Sequence, residues 1–332
     1  MFKNQKGFSF VELALFFIII GIVGGAGFYV MSAKKSSEKL QTADYASVPT
    51  KPEAYKIVAV GDIVCDDNDK KTLNQTVSCK DKETYELAKS LDPKAVLALG
   101  DLQYSDGSLA KFQNNYDKTW GQLKNITYPA PGNHEYATEG ASGYFSYFAD
   151  SPFVNQTKTG HYSVDLGAWH VISLDSNCDK ISQCGGNSDQ IKWLEDDLSK
   201  NSSKCTLAFW HYPRFTSGRY FNDGTYKKYT DIFWQKLTKY HADVVLNGHD
   251  HVYERFATQN AEGNGDNSGI KEFVVGTGGR SLYDRKTTQK TTEFFSNKDY
   301  GVLELDLEPA KYTYKFVNLD KKILDTGSAD CN

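Results

Sequence analysis

Short apolar runs recur between residues 56 and 279, and most of them end in a glycine-bearing loop: KIVAVGD (56–62), AVLALGD (95–101), YPAPGNHE (128–135), CTLAFWHYP (205–213), ADVVLNGHDH (242–251) and EFVVGTGG (272–279). Consecutive apolar positions rich in Val, Leu and Ala predict strands buried on both faces. Between the runs the spacing turns helical, which predicts helices over Glu83–Leu91, Leu109–Leu123, Ile191–Leu198, with Ser188 as a start signal, and Thr230–Tyr240. Alternation of this kind predicts an α/β (α+β) fold whose strands all deliver their loops to one edge. The tail segments GVLELDLEP (301–309) and KYTYKFVNL (311–319) alternate residue by residue, as strands of a second, more antiparallel sheet would.

The head of the chain follows a different pattern. After Lys3 and Lys6, residues 8–31 carry one charge, Glu12, over a length that spans a bilayer as an N-terminal hydrophobic helix. Gly7 precedes the apolar run instead of following it, unlike the cleavage site of an ordinary secretory signal. The head resembles the type IV prepilin signal: a basic leader, Gly at the cut, Phe8 first and a lone Glu five positions in. That resemblance implies pilin-like subunits as partners, with Glu12 pairing to a neighbour's amino terminus; a plain membrane anchor with one tolerated Glu is the other reading. Residues 1–31 are thus read as leader and transmembrane helix, 32–55 as a polar linker and 56–332 as the globular domain.

Charge around the helix leaves its orientation open, because Lys34 and Lys35 follow it as Lys3 and Lys6 precede it. The prepilin resemblance and the cysteines both point outward. The six cysteines, none in a C-x-x-C pattern, suit disulfides in an oxidising space outside the membrane. Short separations favour Cys65 with Cys79 and Cys178 with Cys184, leaving Cys205 for Cys331. A net charge of -4 and no run of basic and aromatic residues give no nucleic-acid partner. The 21 Tyr and 19 Phe suit a strand-rich protein with wide buried faces.

The polar residues at the strand ends carry the chemistry. Asp62, Asp101, Asn133, His134, His211, His249 and His251 offer carboxylate, amide and imidazole groups suited to iron, zinc or manganese. Glycines at 61, 100, 132 and 248 let the backbone turn sharply toward one centre. One aspartate can bridge two ions about 3.5–4 Å apart, a pair able to create hydroxide at neutral pH and to clamp a displacement at phosphorus. Phosphoester hydrolysis is the chemistry this ordered set predicts. His161, His170 and His241 have no metal-spaced partners, Glu135 and Arg255 read equally as supports for the ligands or as plain ion pairs, and GTGGR (276–280) reads as a turn near the site.

Residues 56–257 resemble a calcineurin-like metallophosphoesterase and, through Tyr104 in GDLQY, the purple acid phosphatase branch. The resemblance implies a four-layer αββα sandwich of two mixed β-sheets. It implies two metal ions: Fe(III) held by Asp62, Tyr104 and His251, a divalent Fe, Zn or Mn held by Asn133, His211 and His249, and Asp101 between them. His134 would stand beside the phosphate of a phosphomonoester substrate attacked by metal-bound hydroxide. The chain departs from the branch in lacking the substrate-side histidines of the plant enzymes, whose place Tyr212 and Arg214 would take, and in leaving no room for their preceding fibronectin-like domain. A phosphodiesterase or nucleotidase on the same centre, and a minor-pilin head serving as a binding module, are the alternatives.

Overall fold

The structure, a computed structural model, describes residues 54–66, 79–157 and 159–332; the predicted hydrophobic helix over 1–31 and nearly all of the 32–55 linker lie outside the described residues. Among the described residues no helix is long and apolar enough to cross a membrane.

The buried runs become parallel strands, as their two-sided apolarity requires. β1 (Tyr55–Val60), β2 (Ala95–Leu99) and β3 (Thr127–Ala130) lie side by side and parallel in one sheet. The chain then crosses to a second sheet, built from β4 (Tyr162–Leu166), β5 (Trp169–Ser173), β6 (Cys205–Trp210), β7 (Val244–Asn247), β8 (Tyr253–Phe256), β9 (Lys271–Val275) and β10 (Thr292–Ser296) in the order β10-β8-β9-β7-β6-β5-β4. It returns to the first sheet through β11 (Gly301–Glu308), β12 (Lys311–Asn318) and β13 (Ile323–Asp330), which give that sheet the order β13-β12-β11-β1-β2-β3. Each sheet is mixed. The tail therefore extends the first sheet and does not found a separate one: β11 lies antiparallel to β1 with Leu305 opposite Ile57. The physical reason is that β1 is buried, so the edge that β2 leaves open would otherwise strand its peptide groups without partners.

Packing follows the period of two. Along β6, Cys205, Leu207 and Phe209 join the cluster that also holds Ile57, Leu97 and Leu303 of the first sheet. The intervening Ala208 and Trp210 join a second cluster with Ile191, Leu194 and Leu198 of one helix and Phe233, Trp234 and Leu237 of another. A helix α1 (Asp81–Ser90) packs on β11, whereas α2 (Asp189–Lys200) and α3 (Gly224–Lys239) cover the second sheet. Helix, sheet, sheet, helix is the resulting stack. Each fully buried Leu or Phe adds roughly 1.5–3 kcal/mol of burial, so the double core is the main source of stability.

Two local expectations change. The predicted helix over 109–123 is a short α-helix (Leu109–Asn114) followed by 3-10 turns at Tyr116–Lys118 and Trp120–Ile126. Phe112, Tyr116 and Trp120 are fully buried, and the tighter turns still place that four-residue spacing on the core. The hairpin β4–β5, turning at Gly167 with φ 62°, went unpredicted, and it puts His170 on a strand. All three expected disulfides form: Cys65–Cys79, Cys178–Cys184 and Cys205–Cys331.

Candidate metal centre

Asp62 follows β1, Asp101 follows β2, Asn133 and His134 follow β3, His211 follows β6 and His249 follows β7, so both sheets feed one edge. Three of these residues pay conformationally for their position. Asp62, Asp101 and His249 have φ of 60°, 51° and 66°, a left-handed region that disfavours residues with a Cβ by roughly 1–2 kcal/mol each. Such backbones persist where the surroundings over-determine them, and they cluster at functional sites. Gly132 has a complementary reason to be glycine, since a Cβ there would collide with the Asp101 carboxylate.

The side chains form two groups sharing one oxygen. In the first, Tyr104 Oη lies 2.9 Å from Asp62 Oδ1 and 3.1 Å from His251 Nε2, with His251 Nε2 3.3 Å from the same Asp62 oxygen. In the second, His211 Nε2 lies 3.2 Å from both Asn133 Oδ1 and His249 Nδ1. Asp101 Oδ2 belongs to both, 3.1 Å from Tyr104 Oη and 3.3 Å from His211 Nε2. Its other oxygen, Oδ1, is tied down by the backbone N–H of His134 at 2.8 Å.

Hydrogen bonds on the far sides of the rings fix which nitrogens face inward. His211 Nδ1–H donates to Leu99 O at 2.9 Å and His251 Nδ1–H to Ser281 O at 2.7 Å, leaving each Nε2 lone pair directed at the cluster. Glu135 braces the cluster, accepting the backbone N–H groups of Asp101, Leu102, Gln103 and Gly132 at 2.9, 3.0, 3.2 and 2.7 Å. It thereby fixes the Asp101 turn against the GNHE turn.

The electrostatics are those of acceptors crowded together without water. Burial alone would raise the Asp101 carboxyl, but His211 and His134 draw it well below the usual range. Burial would lower His211, and Asp101 overrides it to hold the imidazole up at about 9. Burial, then neighbouring His211, depress His249, while burial and the two aspartates keep the Tyr104 phenol protonated far beyond its ordinary range. Glu135 rises to about 7 through burial and the charge of Asp101. Positive charge placed among these groups would lower the Tyr104 phenol and the Glu135 carboxyl, the two that burial and neighbouring carboxylates raise.

His134 occupies the open side: its side chain is 30% exposed, its ring lies 4.2 Å from that of Tyr104, and Nε2 is 3.8 Å from Asp101 Oδ2. Tyr212 is buried and sets its ring edge against His249 at 4.5 Å, stacked on Tyr226 at 3.8 Å. Arg214 does not join them. Its guanidinium is engaged by Ala261 O at 2.9 Å, Lys227 O at 3.2 Å and Asp231 Oδ1 at 2.6 Å, which holds it on α3. Arg255 likewise turns away, pairing with Asp325. His170 bridges Asp165 and Asp197, and His161 packs on Trp193, so neither approaches the cluster.

Sequence reasoning missed three rim residues, Arg219, Tyr220 and Tyr283. Tyr220 stacks on His249 and Tyr283 on His251, each at 4.0 Å between centroids. Their signal was present in SGRY (217–220) and GGRSLY (278–283), two loops after strands that each end in an Arg and a Tyr.

Comparison with known proteins agrees with this geometry. Residues 55–253 match the model of the calcineurin-like phosphoesterase family. The chain is 27% identical over 255 residues to Fe(3+)-Zn(2+) purple acid phosphatase 12 of Arabidopsis thaliana, covering 67% of this chain and 52% of that protein. It is 28% identical over 203 residues to purple acid phosphatase 1 of Ipomoea batatas, covering 55% and 41% respectively. The chain thus spans about half the length of these curated relatives. In fold it is similar to a purple acid phosphatase from yellow lupin (Lupinus luteus), with a TM-score of 0.70, 18% identity and coverage of 84% of this chain and 54% of that one. A dimetal phosphatase from Danio rerio superposes with a TM-score of 0.54 at 13% identity, covering 84% of this chain and 100% of that one. With more than half of its length matched, the chain belongs to the calcineurin-like phosphoesterase family.

Proposed function

We propose that the protein is a binuclear metal phosphatase hydrolysing phosphomonoesters, with Fe(III) and a divalent Fe, Zn or Mn as its ions. The observation that carries this reading is the sharing of Asp101 Oδ2 between two groups of inward lone pairs. Carboxylate, amide, imidazole and phenol groups converging within about 3.3 Å of one another are a donor set that fits two ions. Asp62, Tyr104 and His251 would hold the ferric ion, Asn133, His211 and His249 the divalent one, and Asp101 would bridge. The anionic phenolate of Tyr104 favours the trivalent ion, whose binding must displace the phenol proton.

Bound ions supply a hydroxide nucleophile near neutral pH and positive charge for the phosphate oxygens. The chain's own part is to position and protonate. Asp101 Oδ1, held by the His134 N–H, keeps Oδ2 free for its bridging task. His134, solvent-facing beside Asp101, stabilises the phosphate and passes a proton to the leaving oxygen. A binding module with no catalysis has no use for that exposed imidazole next to a full ligand set.

Metal analysis of the domain from about Tyr55, with a panel of mono- and diesters, tests the reading. Two metals per chain and monoester hydrolysis abolished by chelation are expected; one metal or none, or faster cleavage of diesters, would refute it. We also infer display outside a membrane through residues 1–31, supported by the Gly7–Phe8 junction, Glu12 and the three disulfides. Mass spectrometry of the full-length protein should find the chain beginning at Phe8. A chain beginning at Met1, or cut beyond residue 25, would remove the prepilin reading and leave a plain anchor or secretory signal.

A further inference from the structure

We propose that Arg219, Tyr220 and Tyr283 form a leaving-group subsite that selects phosphomonoesters whose leaving group is a planar aromatic ring; this rests on the two-metal phosphatase reading. Its position is set by the ligands themselves. Tyr220 lies on His249 at 4.0 Å and 24°, Tyr283 lies on His251 at 4.0 Å and 9°, and the two phenol rings meet edge to face at 6.0 Å. One tyrosine is thereby registered to each group of ligands. The Arg219 guanidinium covers the outer face of this pair, 4.9 Å from the Tyr283 centroid and 5.8 Å from that of Tyr220.

The loop that carries Arg219 and Tyr220 is fastened to the residue between the two histidines. Asp250 is fully buried and accepts Thr216 Oγ1–H at 2.7 Å, Arg219 N–H at 2.9 Å and Tyr220 N–H at 3.2 Å. Gly218 allows this approach, since a Cβ there would collide with the Asp250 carboxylate. The rim is therefore preorganised, and its geometry relative to the metals does not depend on substrate arriving.

Its chemistry defines what it would take. The ligand side chains are nearly all buried, and the solvent-facing groups around them are Asn133 and His134 from the first sheet and Arg219, Tyr220, Arg280 and Tyr283 from the second. A phosphate seated beside His134 with its ester group turned toward solvent would carry that group past the second bank. The phenol faces are taken by the imidazoles inside and the Arg219 guanidinium outside, so a flat ring would meet the outward guanidinium plane and the phenol edges, which offer it cation–π and edge contact and little to a flexible polyol.

The test compares kcat/KM for phenyl phosphate and glycerol 2-phosphate in wild type, Arg219→Ala and Tyr220→Leu, each with metal content measured. Taking the ratio of the two esters within each protein, and then between proteins, cancels their intrinsic reactivity. The subsite predicts that this ratio falls about threefold in Arg219→Ala and about tenfold in Tyr220→Leu, chiefly through KM, with two metals retained. An unchanged ratio in Arg219→Ala, which touches no ligand, overturns the subsite. Loss of metal in Tyr220→Leu with an unchanged ratio in Arg219→Ala also overturns it and makes Tyr220 a support for His249 only. Inactivity of the two-metal wild type on both esters overturns the phosphatase reading itself, and the subsite with it.

Discussion

At the strand ends around Asp101, candidate metal ligands converge and one buried ring nitrogen, His249 Nε2, has no hydrogen-bond partner; around Arg255, in the same pair of sheets, every donor meets an acceptor. Arg255 on β8 donates through Nε to Asp325 Oδ2 at 2.7 Å and through Nη2 to Oδ1 at 3.1 Å, while its Nη1 pairs with Glu293 on β10. Tyr253 adds a hydrogen bond to Asp325 at 2.9 Å, and Lys271 reaches Glu293 at 3.2 Å and Phe256 O at 3.1 Å. Since Asp325 belongs to β13, this group clasps one sheet to the other. The clasp is electrostatically complete, and the Asp101 cluster, with His249 Nε2 unpartnered, is not. A buried polar group that balances itself is accounted for as structure, and one that does not is a candidate for a ligand.

Asp101→Asn attacks the unbalanced cluster at its shared oxygen and should have the largest effect: loss of metal together with activity down to background, with the fold intact by circular dichroism. Retention of both metals in that variant would remove the bridging role. His134→Ala is expected to keep both metals and to lose roughly 10²–10⁴-fold in kcat. Metal analysis separates the two cases, because an emptied site would make His134 a ligand. On the other side of the comparison, Asp325→Ala leaves Arg255 buried and half paired, and should cost about 3–5 kcal/mol in denaturant unfolding without changing metal content. Should metal content fall too, the two regions are not independent.

Tyr104→Phe sharpens the contrast within the cluster. It preserves the ring packing against His134 and deletes one oxygen, so the iron-loaded oxidised protein should lose a visible charge-transfer colour and bind iron more weakly. A wild type that is colourless under the same conditions argues for two ions of other kinds. The smallest effect concerns His170, a self-balanced group like the clasp. Burial lowers its pKa, but the hydrogen bonds it donates to Asp197 and Asp165 outweigh burial and raise it. A raised pKa stabilises the fold fully below the unfolded value of about 6.5, and that stabilisation is lost as pH rises through the folded value. The Tm difference between wild type and His170→Gln should thus be larger at about pH 5 than at about pH 9.

How much of this was legible in the sequence depended on the distance over which each feature is specified. Asp62, Asp101, Asn133, His134, His211 and the 249–251 pair each sit in a short motif that also contains the strand ending and, in most cases, its glycine, so local pattern located them. Arg255 carried no such mark. Its partner Asp325 is 70 residues away in a strand of the other sheet, a pairing no local pattern encodes. Tyr220 and Tyr283 were missed for the same reason, as they matter through rings 29 and 32 residues away. Arg214 drew attention by following His211 closely, yet the turn out of β6 aims it at Asp231 on α3. The tail strands were recognisable as strands from alternation, but alternation is silent about which sheet has an edge to fill.

The Cys205–Cys331 bridge joins the start of β6 to the residue after β13, across a sequence separation of 126. His211, His249 and His251 all lie inside the ring it closes. A single proteolytic cut anywhere between residues 212 and 330 therefore severs the backbone without freeing a fragment. Nicked protein should migrate as one species until reductant is added, and until then the three histidines should stay covalently joined. Closing so long a loop also limits how far an unfolded chain can spread, a constraint worth about 5 kcal/mol on the chain-entropy estimate. Wherever proteases are common and thiols scarce, such a ring makes a first cut survivable.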